Sequence, residues 1–545
     1  MLLQILSRKL FILHFMITDC TIIVLPGEEE NEKLIRQKLA ASLSVKEESI
    51  TAIVFKKKSI DARRGQVKLN LRYTVYIGEQ PPAAGSGVFT PGWKQADPKR
   101  RVVIIGSGPA GLFAALRLLE EGITPVIIER GTETAQRKED IANISRDQKI
   151  NSESNYCFGE GGAGTFSDGK LYTRSNKRGD ISRILAIFHH HGADADILTD
   201  AQPHIGTDRL PAIINNMRKT IISFGGEFHF NTRLTGFTVE GGHISAVGLS
   251  TRDGETDKNS TMKADTVILA SGHSARDIYT NLTAYPGSLE AKSFAMGVRV
   301  EHPRELIDKI QYHGQERGSN LPAATYRLST QVEERGVYSF CMCPGGIIVP
   351  SATSDDEIVV NGMSPSNRNS KWSNAAIVVE IRSEDIPAKY RTGLSEKDNI
   401  LAGIRYQQAL EQEAKKQGKG QAAPAQLLTD FIDRKASKAL PECSYSPGVV
   451  PSRLDSWLPE PISSRLREAF SEFNKFMKGF ITQEAVIVGV ETRTSSPVRI
   501  LRNADTFESE AIGGLYPAGE GSGYAGGIVS SAMDGENCAG AVCKK

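Results

Sequence analysis

Cysteine is scarce in this sequence of 545 residues, and the few cysteines do not form metal or disulfide patterns. No CxxC pair occurs, and no Cys/His cluster has the spacing of a zinc or iron–sulfur site. We therefore expect reduced thiols, no metal site and a cytoplasmic protein. The seven cysteines are Cys20, Cys157, Cys341, Cys343, Cys443, Cys538 and Cys543.

Long apolar runs are also missing, and no stretch approaches the roughly 20 residues that a membrane-spanning helix needs. The segment Leu10–Ile17 follows Arg8 and Lys9 and so loosely imitates a signal peptide. It is short, and Asp19 follows it in place of the small residues of a cleavage site. We expect a chain without a membrane span, and a targeting segment is the alternative interpretation of these first residues.

Neither sign of charge dominates. The chain has 66 Lys and Arg against 64 Asp and Glu, a net charge of +2. This balance disfavours a nucleic-acid binder that depends on bulk positive charge. With 39% hydrophobic residues the chain has enough apolar side chains for large cores. Its length predicts roughly three to four structural units at about 150 residues each.

Glycine is abundant, with 51 residues, and its clusters coincide with changes of texture that suggest domain boundaries. Alternating strands and one helix predict a small α+β domain over residues 1–90. Buried strands alternate with helices in a Rossmann-type α/β domain over 98–285, which returns at 481–545. The more polar residues 286–480 are interpreted as an inserted substrate or cap domain, with a surface loop at Lys415–Gln426.

The most specific motif is Gly106-Ser107-Gly108-Pro109-Ala110-Gly111, placed between a buried strand and a helix. The first glycine permits the tight turn, Gly108 lets the backbone approach a diphosphate, and Gly111 lets helix and strand pack closely. The helix N-terminus offers unpaired N–H groups and partial positive charge to phosphate. Glu129 ends the next strand at the spacing of a ribose-binding acid. Together these features predict dinucleotide binding.

Three further segments resemble parts of flavoproteins with the two-dinucleotide-binding-domain fold. Thr266–Ala275 contains Ser271-Gly272 after a strand and is similar to a segment that runs close to the cofactor. Gly513–Gly535 contains an acid, Glu520, before a glycine-rich helix start. Phe158–Arg174 is a glycine-rich run whose N–H groups suit an anion nest, with a flexible surface loop as the alternative.

These pieces, with KKKSIDAR (Lys56–Arg63), FCMCPGG (Phe340–Gly346) and VETRTSSPVRI (Val490–Ile500), resemble the uncharacterised FAD-dependent dehydrogenase family, the NAD(FAD)-utilising dehydrogenase-like flavoproteins. The resemblance spans nearly the whole chain and implies a glutathione-reductase-type FAD fold with non-covalently bound FAD. It implies that the helix from Gly527 directs its positive end at the flavin ring. The implied FAD-binding residues are Gly106, Gly108, Pro109, Ala110, Gly111, Glu129, Arg130, Gly161, Gly162, Lys170, Leu171, Ser271, Gly272, Gly519, Glu520, Gly526, Gly527 and Ile528.

Three side chains are candidates for catalysis. Arg493 is a candidate clamp for an anionic substrate, or else a member of a structural salt bridge. His273 is a candidate acid or base, or a structural histidine. Lys170 is a candidate for contact with flavin or substrate, or a surface lysine. Cys341 and Cys343 alternate around Met342, so in a strand both thiols face one side, which suits either core packing or a redox contact.

The leading functional hypothesis is a flavin oxidoreductase that acts on a small, unidentified molecule. Since no second complete GxGxxG follows a strand, electrons would come from the substrate itself or from transiently bound NAD(P)H. An RNA-binding flavoprotein is the alternative, because residues 1–90 carry the basic stretch KKKSIDARRGQVK. A third interpretation makes FAD a structural element of an interaction protein.

Overall fold

The computed structural model describes residues 16–63, 65–81, 89–173, 179–254, 256–314, 317–393 and 399–545. The alternative of a targeting segment depends mainly on residues before 16, which lie outside the described ranges. The N-terminal unit is an antiparallel sheet of order β1-β3-β2 beside one helix. Its elements are β1 (Met16–Val24), α1 (Glu32–Leu43), β2 (Ile50–Asp61) and β3 (Lys68–Ile77).

The basic stretch that suggested RNA binding lies partly at the interface between this unit and the rest of the chain. The backbone N–H of Lys58 donates to the carbonyl of Thr199 at 3.0 Å, and the N–H of Ala201 donates to the carbonyl of Lys58 at 3.0 Å. The Lys58 ammonium is paired with Glu29 at 3.0 Å. These contacts hold the edge of the N-terminal unit at Lys58 against the segment around Thr199 and Ala201.

The next domain is built on a parallel sheet of order β22-β10-β4-β5-β6. Along β4, Val102 and Ile104 pack against helices on one face, whereas Val103 and Ile105 face the opposite core. Apolar side chains on both faces are typical of a parallel sheet covered on both sides. The sheet strands are β4 (Asp97–Ile105), β5 (Ile123–Ile128), β6 (Glu227–His229), β10 (Val267–Leu269) and β22 (Leu515–Pro517).

Helices and an antiparallel meander complete this domain, and the predicted Rossmann-type α/β fold is confirmed. The helices are α2 (Pro109–Glu120), α3 (Thr134–Asp147), α4 (Ile181–His190), α5 (Leu210–Ser223), α6 (Arg276–Leu282) and α12 (Ile528–Val542). The meander consists of β7 (Thr232–Glu240), β8 (His243–Asp253) and β9 (Thr256–Lys263), and a small ribbon pairs β11 (Leu289–Ala291) with β21 (Val498–Ile500).

The second large domain contains a mixed sheet of order β13-β14-β17-β12-β20-β18-β19. Most of its buried apolar residues form one cluster with those of the N-terminal unit. The strands are β12 (Phe294–Pro303), β13 (Ser329–Val332), β14 (Arg335–Cys343), β15 (Ile347–Pro350), β16 (Val360–Met363), β17 (Trp372–Ile381), β18 (Ala423–Leu427), β19 (Val449–Pro451) and β20 (Val486–Glu491). The helices are α7 (Arg304–Gln311), α8 (Ala402–Gln417), α9 (Leu428–Asp433), α10 (Leu454–Trp457) and α11 (Glu460–Phe476).

Two details differ from the sequence-based expectations. Strand β20 lies beyond the expected boundary at 480, yet it pairs with β12 and β18 of the second domain. The expected surface loop 415–426 includes most of β18, in which Ala423 and Ala425 are fully buried. Small residues give a weak strand signal, and pairing with distant strands decides the structure here. Within the described residues, no helix has the length and apolar character of a membrane span.

Candidate functional site

The phosphate loop has the local geometry that its glycines require. Gly106 has φ of +101°, and a Cβ there would lie 2.4 Å from the carbonyl oxygen of Ala270. A Cβ on Gly111 would lie 2.0 Å from the carbonyl oxygen of Gly106, so Gly111 permits the close packing of strand and helix. Gly108 is the N-cap of α2, and Pro109 is the first helical residue. The positive end of α2 is therefore free of a covering side chain at Gly108.

Glu129 is almost fully buried and ties three loops together. Its Oε2 accepts hydrogen bonds from the N–H and the hydroxyl of Ser107 at 2.9 and 2.7 Å. Its Oε1 accepts from the N–H groups of Gly131 and Gly159 at 2.9 and 3.0 Å. The carboxylate also lines the cavity described below. Glu129 thus has an organising role in addition to the predicted ribose contact.

The glycine-rich run 158–174 is held against the phosphate loop, and its described part is not a free surface loop. The N–H of Gly161 donates to the carbonyl of Ser107 at 3.0 Å. A Cβ on Gly162 would lie 3.0 Å from the Cα of Gly108. The two glycine segments therefore pack backbone to backbone, and the close contact together with the φ of +66° favours glycine at position 162.

Arg137 organises this run, and the sequence analysis missed it. The side chain is fully buried and donates to the backbone carbonyls of Asn155, Tyr156, Gly159, Glu160 and Gly162 at 2.7 to 3.1 Å. Burial lowers the pKa of Arg137 to about 10, so the guanidinium remains charged near neutral pH. An arginine in a polar helix pattern gives no signal of this role, because its partners lie 18 to 25 positions further along the chain.

One cavity collects most of the predicted cofactor residues. Those on its wall are Gly106, Gly108, Pro109, Ala110, Glu129, Arg130, Gly162, Lys170, Ser271, Gly272, Gly519, Glu520, Gly526, Gly527 and Ile528. Three predicted residues lie behind the wall. Gly111 and Gly161 serve backbone packing, and Leu171 is buried with its N–H bonded to Pro203. These three residues do not line the cavity, and a role for them in binding a cofactor stays a prediction.

Three glycines on the cavity wall leave open space beside the backbone. An added Cβ would meet no atom within 4 Å at Gly272, Gly526 or Gly527, so a side chain at these positions would extend into open space. His273 also lines the cavity, and its Nε2 is buried without a hydrogen-bond partner among the described residues. A buried polar atom of this kind needs a partner, which a bound molecule would supply.

His273 is close to Glu520, the acid that precedes the glycine-rich helix start. Its Nδ1 lies 3.4 Å from Oε1 of Glu520, and both side chains are partly buried. Glu520 follows β22, the edge strand of the parallel sheet, and His273 follows β10, the neighbouring strand. The carboxyl ends of adjacent parallel strands thus bring together two candidates that are 247 positions apart in the sequence.

Arg493 lines the same cavity, but its donors are committed to protein groups. The guanidinium donates to Glu411 at 2.8 and 3.1 Å, to Glu357 at 2.6 Å and to the Thr353 hydroxyl at 3.0 Å. Arg276 pairs with the same two carboxylates at 2.8 and 3.1 Å. This buried network joins α6 of the first domain to α8 of the second. It matches the salt-bridge interpretation of Arg493 and differs from the anion clamp.

Lys170 reaches the second domain from the glycine-rich run. Its ammonium lies 3.1 Å from Asp168, 4.0 Å from the Cys341 sulfur and 3.8 Å from the Cys343 sulfur. Asp168 also receives two hydrogen bonds from Arg368, at 2.6 and 3.1 Å. Although burial alone would lower it, the pKa of Lys170 is raised by the Asp168 carboxylate. Lys170 is therefore a cation in a buried cluster at the cavity wall and not a solvated surface lysine.

A second organising residue is Asp534 on α12. Its carboxylate accepts from the N–H of Gly519 at 2.7 Å and pairs with Arg502 at 2.6 and 3.0 Å. Cys538 and Cys543, which have the spacing CxxxxC, lie on the same helix and at its C-cap and do not line the cavity. A role for this pair beside a cofactor is thus not supported by its place in the fold.

Three protein families match successive parts of the chain. Residues 99–278 match an FAD binding domain. Residues 293–494 match a family described as 'FAD-dependent protein, C-terminal domain-like', and this match includes β20. Residues 16–76 match a domain of unknown function, DUF8436. The predicted use of FAD is supported by these matches.

Among whole proteins, an uncharacterised protein of Clostridium beijerinckii is 37% identical over 537 residues, which are 95% of this chain and 97% of that protein. Among solved structures, the Escherichia coli quinol fumarate reductase subunit FrdA is 12% identical, with a TM-score of 0.33, and the match covers 82% of this chain and 70% of that chain. The glycine oxidase of Bacillus cereus is 12% identical, with a TM-score of 0.33 and coverages of 81% and 96%.

Proposed function

Since the chain belongs to the same family as the Clostridium beijerinckii protein and carries an FAD binding domain, we propose that it is an oxidoreductase that acts on a small molecule through non-covalently bound FAD. FAD supplies hydride or electron transfer when bound. The protein supplies binding, orientation and control of the surrounding charge.

The observation that carries the proposal is that both large domains contribute to one cavity. The Rossmann-type domain lines it with the phosphate loop, Glu129 and the glycines before α12. The second domain lines it with Phe340, Cys341 and Asn361, and Arg493 and Thr494 follow β20. A cavity between a dinucleotide-binding domain and a cap is a typical place for a substrate to meet a cofactor.

We assign the binding roles by the position of each residue. The N–H groups of Gly108 and Ala110, at the start of α2, would hold the diphosphate, and Pro109 between them has no N–H to donate. The segment 518–528 would lie along the remaining length of FAD, with the positive end of α12 toward the ring. The partner-free Nε2 of His273 would bind a polar atom of FAD or of the substrate. Because Arg493 is bound to two carboxylates, we assign the substrate contact to His273 and not to an anion clamp at Arg493.

Anaerobic titration of the purified holoprotein tests this proposal. The absorbance of oxidised flavin near about 450 nm should bleach with NADH, NADPH or a member of a metabolite panel. The matched variant His273→Ala, with equal FAD content, should be reduced more slowly by the same donor. If FAD is bound but none of these donors reduces it, the proposal fails in favour of a structural role for the cofactor.

A further inference from the structure

Cys341 occupies a distorted position in β14, on the wall of the cavity. The register between β14 and β17 shifts between Phe340 and Cys343, which marks a β-bulge. Cys341 itself has φ of +43°, in the left-handed region that residues other than glycine rarely adopt. Bulges and left-handed residues redirect side chains and are enriched at functional sites. Here the distortion places Cys341 on the cavity wall, partly exposed to the cavity.

The charges around this thiol favour an anion. Lys170 lies 4.0 Å from its sulfur, and the buried Arg299 donates to its carbonyl oxygen at 3.3 Å. Arg299 is paired with Glu491 at 2.6 Å. Asp168 pairs with both Lys170 and Arg368, at 3.1 and 2.6 Å, so one carboxylate faces two cations near the thiol. A cation close to a cysteine sulfur favours the thiolate.

The two cysteines are not equivalent. The pKa of the Cys341 thiol is held well below its usual range. The largest cause is its hydrogen bond with Cys343; burial opposes this effect, and the charges of Lys170 and Arg299 add to it. The pKa of Cys343 is raised well above its ordinary value by its hydrogen bond with Cys341 and by its burial. Cys343 is fully buried and does not line the cavity, whereas Cys341 does. Cys341 is thus the accessible thiol of the pair and the candidate nucleophile, and the Cys343 thiol donates to the backbone carbonyl oxygen of Cys341 at 3.3 Å.

We propose that Cys341 is a reactive thiol that exchanges with small disulfides entering the cavity, while Lys170 and Cys343 are positioning residues. The Cys341 sulfur attacks one sulfur of the disulfide R–S–S–R. A Cys341–S–S–R bond forms, the R–S–S–R bond breaks, and the second R–S⁻ leaves and takes a proton from solvent. Cys341 is oxidised to the mixed disulfide as one half of the substrate is reduced to a thiol, so no further reagent is needed. The step does not depend on the donor that reduces FAD.

The test follows the release of thiopyridone from 2,2′-dithiodipyridine as a function of pH, on the protein as purified. Wild type should show a fast phase of one equivalent. At pH 6 this phase should be at least about tenfold faster than the reaction of any thiol in Cys341→Ser, because an ordinary thiol with a pKa of about 8.5 is almost fully protonated at that pH. The rate should fall only as the pH drops through the lowered pKa. Lys170→Met, which removes the cation, and Cys343→Ala, which removes the donor thiol, should move that midpoint upward.

Cys157→Ser is the matched control, because Cys157 is another partly exposed thiol on the same cavity wall. The control should keep the fast phase. Mass spectrometry of the labelled wild type should locate the pyridylthio group on Cys341, which makes the test independent of the stability of any variant. A label on another cysteine, or a wild-type midpoint at the ordinary thiol pKa, would overturn the proposal and would leave the FAD proposal untouched.

Discussion

Replacing Arg493 with alanine is expected to lower the free energy of unfolding by about 3–5 kcal/mol, because removal of one partner leaves buried charge uncompensated. Glu411 is fully buried and Glu357 is nearly so, and both pair with Arg493. Arg276 alone would then face two carboxylates. Burial and the neighbouring Glu411 already raise the pKa of Glu357. Equilibrium denaturation of the holoprotein, followed by circular dichroism, measures the loss.

Arg72→Ala is the control for the Arg493 variant. The Arg72–Asp19 pair is largely exposed, with 54% and 44% of the side chains accessible, and such pairs contribute at most about 1 kcal/mol. If Arg493→Ala is as stable as Arg72→Ala and differs from wild type only in a raised KM, then Arg493 is a substrate clamp and the structural interpretation is wrong.

The second large effect is expected at Gly108. Gly108→Val should weaken FAD binding by at least about 100-fold, equivalent to about 3 kcal/mol, because the side chain displaces the diphosphate from charge-assisted hydrogen bonds at the helix start. The fold should tolerate the change, since the added Cβ would be 3.8 Å from its nearest neighbour, the Cα of Gly162. Fluorescence titration of FAD into the apoprotein measures the affinity.

Gly236→Val provides the control for Gly108. Gly236 lies within β7, and an added Cβ there meets no atom within 4 Å. This variant should bind FAD as wild type does. Equal affinity in Gly108→Val and Gly236→Val would show that the diphosphate lies elsewhere.

Local sequence patterns were sufficient for the dinucleotide-binding half of the fold. A buried strand, three glycines and an apolar helix lie within about 20 residues, and each glycine has a steric reason that involves close neighbours. The Gly111 to Gly106 contact is one such case. The segment Gly513–Gly535 is recognisable for the same reason, since it combines a strand, an acid (Glu520) and a glycine-rich turn before α12.

Features that depend on distant partners were not predictable. The assignment of β20 depends on pairing with β12, almost 190 positions earlier. Whether Arg493 is a clamp or a structural residue depends on Glu357 and Glu411, which nothing near ETRTSSP indicates. The proximity of Lys170 to Cys341 joins segments 171 positions apart. Sequence patterns identify such residues as unusual, and only the fold gives their partners.

The cofactor content of the purified protein decides whether the cavity is an FAD site. Wild-type protein should be yellow, should release FAD on acid denaturation in a ratio near one per chain, and should lose this ratio in Gly108→Val but not in Gly236→Val. A correctly folded wild-type protein that is colourless and takes up no added FAD would contradict the assignment of the cavity.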